Sequence, residues 1–269
     1  MNHLKIQKCL VVERMSICAV LTLYKRPYTL IEQLTAVQNQ SVPPQKIIIW
    51  RNASPGVSMP SIPPELMKNV TIIDSSENFG VWARFSVGLL VNTEFICVFD
   101  DDTIPGRRWF ENCLNTQKTH PGLLGGIGIV FDEGTQYKGT RYGWDGVCDE
   151  PIEVDIVGHA WFFRQEWLSI LWQFHPTYDI MLRAGEDIGF SFMLQKCGIK
   201  TYVPPHPKDQ LELYGSQPKT AMQYGTDSAA ITSDANIFPI FRGLLQHFIV
   251  TLGFETINNR KAISKGKKD

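Results

Sequence analysis

FICVFDDDT, residues 95–103, is an apolar run that stops on three consecutive carboxylates. Phe95–Phe99 suits a strand buried on both faces, because no polar position interrupts it. Charged side chains resist burial and like charges repel, so Asp100, Asp101 and Asp102 need either water or a cation. A strand running out into a solvated acidic turn meets the first need, and a divalent-metal site meets the second. Alternate residues of an extended segment point the same way, which places Asp100 and Asp102 on one face. Two carboxylates so placed suit a hard cation that takes oxygen ligands, Mg2+ or Mn2+.

Upstream of this stretch, strands alternate with helices. Ser16–Thr22, Lys46–Trp50, Val70–Asp74 and Glu94–Asp100 read as strands, with helices at Pro27–Gln40, opened by its proline, and at Gly80–Asn92. Short apolar strands separated by helices predict an α/β fold with a mostly parallel sheet covered by helices on both faces. Such sheets bind ligands beyond the carboxyl ends of their strands, where the acidic triplet lies.

Beyond a helix at Arg107–Thr119 the pattern changes to a glycine-rich stretch, PGLLGGIGIV (121–130). A polar loop follows, Asp132–Glu150, rich in Gly, Tyr and Asp and expected to act as a flexible lid. EVDIVGHAWFFRQEWL (153–168) predicts a strand, a turn and the start of a helix. GEDIGFSFMLQKCG (185–198) predicts a helix with Glu186 and Asp187 in its first turn, where the dipole favours anions, and Gly198 as its stop. KTYVPPHP (200–207) is a short strand broken by prolines. From Ile237 to Phe254, apolar residues Ile237, Phe241, Leu244, Leu245, Phe248 and Leu252 recur at helical spacing. That spacing predicts an amphipathic helix packed on the domain or lying at an interface.

A chain of 269 residues, 43% hydrophobic and 20% charged, can build one large α/β domain, and no repeat or long linker divides it. The net charge of −1 argues against nucleic acid as a bulk electrostatic partner. The dense basic run NNRKAISKGKKD (258–269) reads as a solvated tail, with weak peripheral attraction to an anionic membrane as the alternative. Cys9, Cys18, Cys97, Cys113, Cys148 and Cys197 include no C-x-x-C pair, so they read as reduced thiols of an intracellular protein. MNHLKIQKCLVVERMS (1–16) is too short and interrupted for a secretory signal, and Arg242, Gln246 and His247 break the most apolar segment. Neither a signal peptide nor a membrane span is therefore expected, and the expected location is cytoplasmic.

Taken in order, LTLYKRP (21–27), RNAS (51–54), ENFGVWARFSVGL (77–89), FDDDT (99–103) and GEDIGFS (185–191) resemble the GT-A class of nucleotide-sugar glycosyltransferases. In that class a first strand ending in a T-x-x-R turn precedes an acidic DxD motif, and an ED helix follows downstream. The resemblance covers residues 16–207. It extends both to the large inverting group and to exostosin-type retaining transferases. Gly185 stands where the inverting pattern often has another acidic residue, so the stereochemical outcome stays open.

The resemblance implies a metal-dependent transfer of a hexosyl or pentosyl group from a nucleotide donor, foremost a UDP sugar, to a hydroxyl of a glycan or other acceptor. It implies Thr22, Arg26, Asn52, Asn78, Gly80 and Arg84 around the nucleotide, with Asp100, Asp101 and His159 at the donor. Asp102, Asp100 and His206 would hold Mn2+ or Mg2+, and Asp187, with Glu186 next, would serve as the base. The single catalytic domain, 1–269, would then comprise a nucleotide-sugar-binding half (15–120), an acceptor and catalytic half (121–207) and a C-terminal helical extension with its basic tail (208–269).

Plainer roles stand beside these. Arg84 suits a surface salt bridge equally well, Glu186 and Asp187 suit helix capping, and His206 among prolines suits the surface. Trp144, Trp161 and Trp172 read as core or as sugar platforms. A sugar-1-phosphate nucleotidyltransferase would need a glycine-rich phosphate loop where LTLYKRPYTL (21–30) has no glycine. A metal-dependent phosphoesterase would need further His/Asp clusters. A nucleotide-sugar or carbohydrate-binding module that kept the sheet without the chemistry remains a distinct alternative.

Overall fold

Four parallel strands, β1 (Ile17–Leu23), β2 (Lys46–Arg51), β3 (Val70–Asp74) and β4 (Phe95–Phe99), lie in the order β3-β2-β1-β4 in the computed structural model. The structure describes residues 15–143, 145–176, 179, 183–234 and 236–265. After β4 come β5 (Gly122–Leu124), β6 (Ile127–Phe131), β7 (Gly139–Gly143), β8 (Ile152–Glu153), β9 (Ile156–Gly158), β10 (Ala160–Arg164) and β11 (Lys200–Val203). The main sheet continues past β4 with β10-β5-β11-β8, while β7-β6-β9 form a small antiparallel sheet. The expected α/β architecture with a mostly parallel sheet is what the chain adopts.

Alternation along β1 explains why its apolar run is unbroken. Cys18 and Val20 face one layer, with Ile48, Val98, Trp161 and Phe163 beside them, under α2 (Ala83–Ser86) and the helix Glu186–Lys196. Ile17, Ala19, Leu21 and Leu23 face the other layer, against α1 (Leu30–Gln38) and α3 (Trp109–Thr119). Both sheet faces are therefore covered, and the strand stays apolar until Thr22 at its carboxyl end. After α4 (Leu168–Leu171) and α5 (Glu186–Lys196), the chain adds α6 (Pro218–Gly225), α7 (Ile237–Gln246) and α8 (Ile257–Lys265). Leu244, Leu245 and Phe248 pack on Ile188 and Phe192 of α5 and on Phe131 of β6.

Several expected elements differ. Residues 80–92 form only α2 and a 3-10 turn, because the chain runs too close to the sheet for a full helix: a Cβ on Gly88 would meet Ile96 Cδ1 at 2.7 Å and Leu168 Cδ1 at 2.9 Å. The supposed lid at 132–150 contains β7, paired along its length with β6, and so is partly a hairpin arm. The stretch 153–168 makes the end of β8, then β9 and β10, rather than one strand, because the chain leaves the main sheet after Glu153 and returns to it past His159. The C-terminal helix turns π-helical at His247–Thr251. Cys18, Cys97, Cys113 and Cys148 are buried free thiols, and Cys197 is an exposed one. Cys9, Trp144 and the N-terminal 14 residues lie outside the described residues. Among the described residues, no helix is long and apolar enough to cross a membrane.

Candidate donor and metal site

Each aspartate of the triplet meets a different basic side chain, drawn from a different part of the fold. Asp100 pairs with Arg84 of α2, Asp101 with Arg26 of the turn after β1, and Asp102 with His159 at the β9–β10 junction. The sheet register explains the meeting: Leu21 lies beside Phe99 on β4, and Ala160 lies on its other side.

Asp100 and Asp102 share an imidazole. His159 Nδ1 lies 3.5 Å from Asp102 Oδ1 and 4.0 Å from Asp100 Oδ2. His159 has φ of 69°, a left-handed conformation uncommon for a side-chain-bearing residue, and it joins a strand of one sheet to a strand of the other. Its carbonyl accepts the N–H of Asp100 at 3.1 Å, which ties the turn to the triplet. Burial alone would lower the His159 imidazole, but its hydrogen bond to Asp102 and the charges of Asp102 and Asp100 raise it. Burial alone would raise Asp102, but the same hydrogen bond, with the positive charges of His159 and Arg26, holds it below the usual carboxylate range. Asp100 is pushed up by burial and by Asp102, in spite of Arg84.

These residues fit a divalent cation. Asp100, Asp102 and His159 offer ligand atoms that all lie within 4.8 Å of one another, a mixed carboxylate–imidazole set suited to Mn2+. Thr22 Oγ1, at the end of β1, is buried without a hydrogen-bond partner among the described residues.

His206 does not join this group, and its expected ligand role is corrected. It is fully buried, with its ring between Trp109 (5.8 Å) and Tyr214 (4.6 Å). Nδ1–H donates to the Pro204 carbonyl at 2.7 Å, and Nε2 accepts the Gly215 N–H at 3.3 Å, so both ring nitrogens are taken. Burial lowers it to about 4, which keeps it neutral. Asp101 is also corrected. Instead of facing a donor, its carboxylate accepts the N–H groups of Lys25 (2.9 Å) and Arg26 (3.2 Å) and the Arg26 guanidinium (2.7 Å), fixing the turn after β1.

Arg84 is no surface residue. Its guanidinium, 4.5 Å above the Trp161 ring, bridges Asp100 and Glu186. Trp161 thus supports a cation, and Trp172 packs against the core. The bridge joins the end of β4 to the first turn of α5, where Gly185 adopts φ of 82° as the N-cap. Asp187 Oδ1 accepts the Ile188 N–H at 2.7 Å, and burial, with the charge of Asp187, holds the Tyr137 phenol well above its usual range. Burial, then repulsion by Glu186, pushes Asp187 up to about 7.

Asn52, Asn78 and Gly80 come together beyond β2. Asn52 Nδ2 donates to Asn78 Oδ1 at 2.8 Å, the Gly80 N–H donates to the same oxygen at 2.8 Å, and Asn78 Nδ2 donates to the Tyr24 hydroxyl at 3.1 Å. Tyr24, Tyr28, Tyr137 and Asp227 were not singled out from sequence. The turn from Thr22 to Arg26 draws attention to its ends and not to the tyrosine between, and nothing local marks the others.

A family model described as glycosyl transferase family 2 matches residues 18–180. Among solved structures, the crystal structure of S. aureus TarS is similar at 14% identity with a TM-score of 0.50. The similarity covers 88% of this chain and 44% of that one, so the chain spans less than half the length of its structural relative. No curated protein matches in sequence.

Proposed function

Because the chain belongs to glycosyl transferase family 2 and has the GT-A fold, we propose that it is a divalent-metal-dependent enzyme that takes a UDP sugar and passes the sugar to a hydroxyl of a glycan or glycoconjugate. The observation that carries this reading is the Arg84 bridge, which sets the Asp100–Asp102–His159 cluster beside the acidic first turn of α5.

Asp102, Asp100 and His159 would hold Mn2+ or Mg2+. When bound, such a cation stabilises the negative charge that grows on a diphosphate leaving group. Asn52, Asn78 and Gly80, with Tyr24, offer amide and phenol groups for the base and ribose, and the Thr22 hydroxyl offers another. Arg84 keeps Asp100 and Glu186 in register. Asp187 is then the carboxyl able to exchange a proton near neutral pH, as a general base requires. In a direct displacement the acceptor oxygen attacks the anomeric carbon while its proton passes to Asp187. The bond to the diphosphate breaks with its electron pair leaving on UDP, and the anomeric configuration inverts.

The first test is thermal stability with UDP and Mn2+. At a ligand concentration of about 100 Kd, binding adds about 2.7 kcal/mol, worth roughly 5–10 °C in a chain of this size. Absence of any shift would overturn the reading. A panel of UDP, GDP and dTDP sugars with Mn2+, scored by donor hydrolysis, should give turnover with UDP sugars; turnover confined to another nucleotide would replace the donor. Asp102→Asn should remove the Mn2+-dependent part of the shift, and its persistence would move the cation elsewhere.

A further inference from the structure

The segment after the main sheet returns across the carboxyl end of β1. The Gln217 N–H donates to the Ile104 carbonyl at 3.0 Å, and α6 then leads to Gly225, where a Cβ would lie 3.7 Å from Asp102 Oδ2. Two residues later, Asp227 takes the Arg26 guanidinium along one edge, with Oδ2 3.1 Å from Nε and Oδ1 2.9 Å from Nη2. Asp227 also accepts the Tyr28 hydroxyl, and its Oδ1 accepts the Ala229 N–H at 2.9 Å. A second tie lies alongside: the Tyr224 hydroxyl donates to Glu32 of α1 at 2.8 Å.

Arg26 is 5% exposed, so its charge cannot fall back on water. A guanidinium is a rigid planar fork, and gripping one edge fixes where the remaining nitrogen falls. That nitrogen, Nη1, lies 2.7 Å from Asp101 but 3.6 Å from Asp102. Without a carboxylate on the far edge, the buried cation would have only the triplet to neutralise it, and Asp102, at 3.6 Å, is the next carboxylate within its reach.

We infer that Asp227 is a positioning residue of the donor end: by holding Arg26 on Asp101, it keeps Asp102 available for a divalent cation. This rests on the metal-dependent reading above. It goes further by making the C-terminal segment, beyond the stretch that matches the family, a necessary wall of the site.

The experiment is Mn2+ titration of the full chain without nucleotide, followed by the EPR signal of free Mn2+, with the melting temperature in EDTA recorded for each variant. Asp227→Asn should weaken Mn2+ binding about tenfold, on the scale of one charge-assisted hydrogen bond. Glu32→Gln, which loosens only the Tyr224 tie, should leave Mn2+ affinity at the wild-type value. If Asp227→Asn melts too low to titrate, Tyr28→Phe takes one hydrogen bond from Asp227, keeps every charge, and should weaken binding about twofold to threefold. Wild-type affinity in a folded Asp227→Asn or in Tyr28→Phe would overturn the inference. So would an equal loss in Glu32→Gln, which would make the segment's anchoring the cause. A wild type that binds neither Mn2+ nor UDP would overturn the metal-dependent reading itself, and this inference with it.

Discussion

Replacing Asp187 by asparagine should slow the enzyme and stabilise the fold, both from one cause. Burial and then the charge of Glu186 raise this carboxyl from 3.8 to about 7. Between about pH 4 and pH 7, an unfolded chain has released the proton that the folded chain still keeps. Stability therefore falls as pH rises through that window and is flat above it. The whole shift corresponds to about 4 kcal/mol at 1.36 kcal/mol per pKa unit. Asparagine keeps an oxygen for the Ile188 N–H but buries an amide nitrogen, which returns about 1–2 kcal/mol of cost. The net gain above pH 7 is about 2–3 kcal/mol, or roughly 4–12 °C in melting temperature. Thermal scans from pH 4 to pH 8 should show the variant's advantage opening across the window and then holding constant. In the same variant kcat should fall about 10²- to 10⁴-fold, the contribution of a positioned base, with UDP and Mn2+ affinity retained. A difference in melting temperature that does not vary with pH would refute the raised carboxyl, and an undiminished kcat would refute the base.

Arg84→Met should destabilise by about 3–5 kcal/mol, because it strands the carboxylates of Asp100 and Glu186; the loss measured in urea should shrink on acidification as the raised Asp100 carboxyl protonates. Asp101→Asn should act as a folding lesion, lowering the melting temperature through the turn it ties to Arg26 while the folded fraction still binds Mn2+. A stable Asp101→Asn that has lost Mn2+ binding would contradict that assignment. Gly189→Ala gains about 1 kcal/mol of helix propensity, yet its Cβ would fall 2.3 Å from Trp82 Cη2, and overpacking costs about 1–3 kcal/mol. The expected result by denaturant titration is a net loss.

The strands β1 and β4 were legible because burial on both faces leaves its mark in every one of their residues. The segment 80–92 misled for the opposite reason. Its local composition suits a helix, but a tertiary approach at Gly88 decides its form, and no neighbour in sequence reports that approach. The arm β7 was invisible because Thr140 and Arg141 face solvent and set up no apolar period. His206 looked exposed among prolines, yet a backbone bridge to Cys148 and the rings of Trp109 and Tyr214 enclose it. What sequence could not supply was partnership across distance.

The acidic triplet shows why that matters for chemistry. Three adjacent aspartates look equivalent, and their mutual repulsion suggests one shared cation. In the fold their counter-charges come from three directions, and each partner is itself tied to something else: Arg84 to Glu186, Arg26 to Asp227, and His159 to both Asp100 and Asp102. The repulsion is therefore relieved separately at each residue, and the roles separate with it. Asp101 is committed to the backbone of the turn after β1. Asp100 is committed on one oxygen to the bridge that reaches α5, and turns the other toward His159. Asp102 faces an imidazole, at the end of an arginine whose charge is already engaged twice. Of the three, it is the carboxylate whose partners can be exchanged for a metal ion at the least cost, and that follows from where its neighbours are held rather than from the triplet itself.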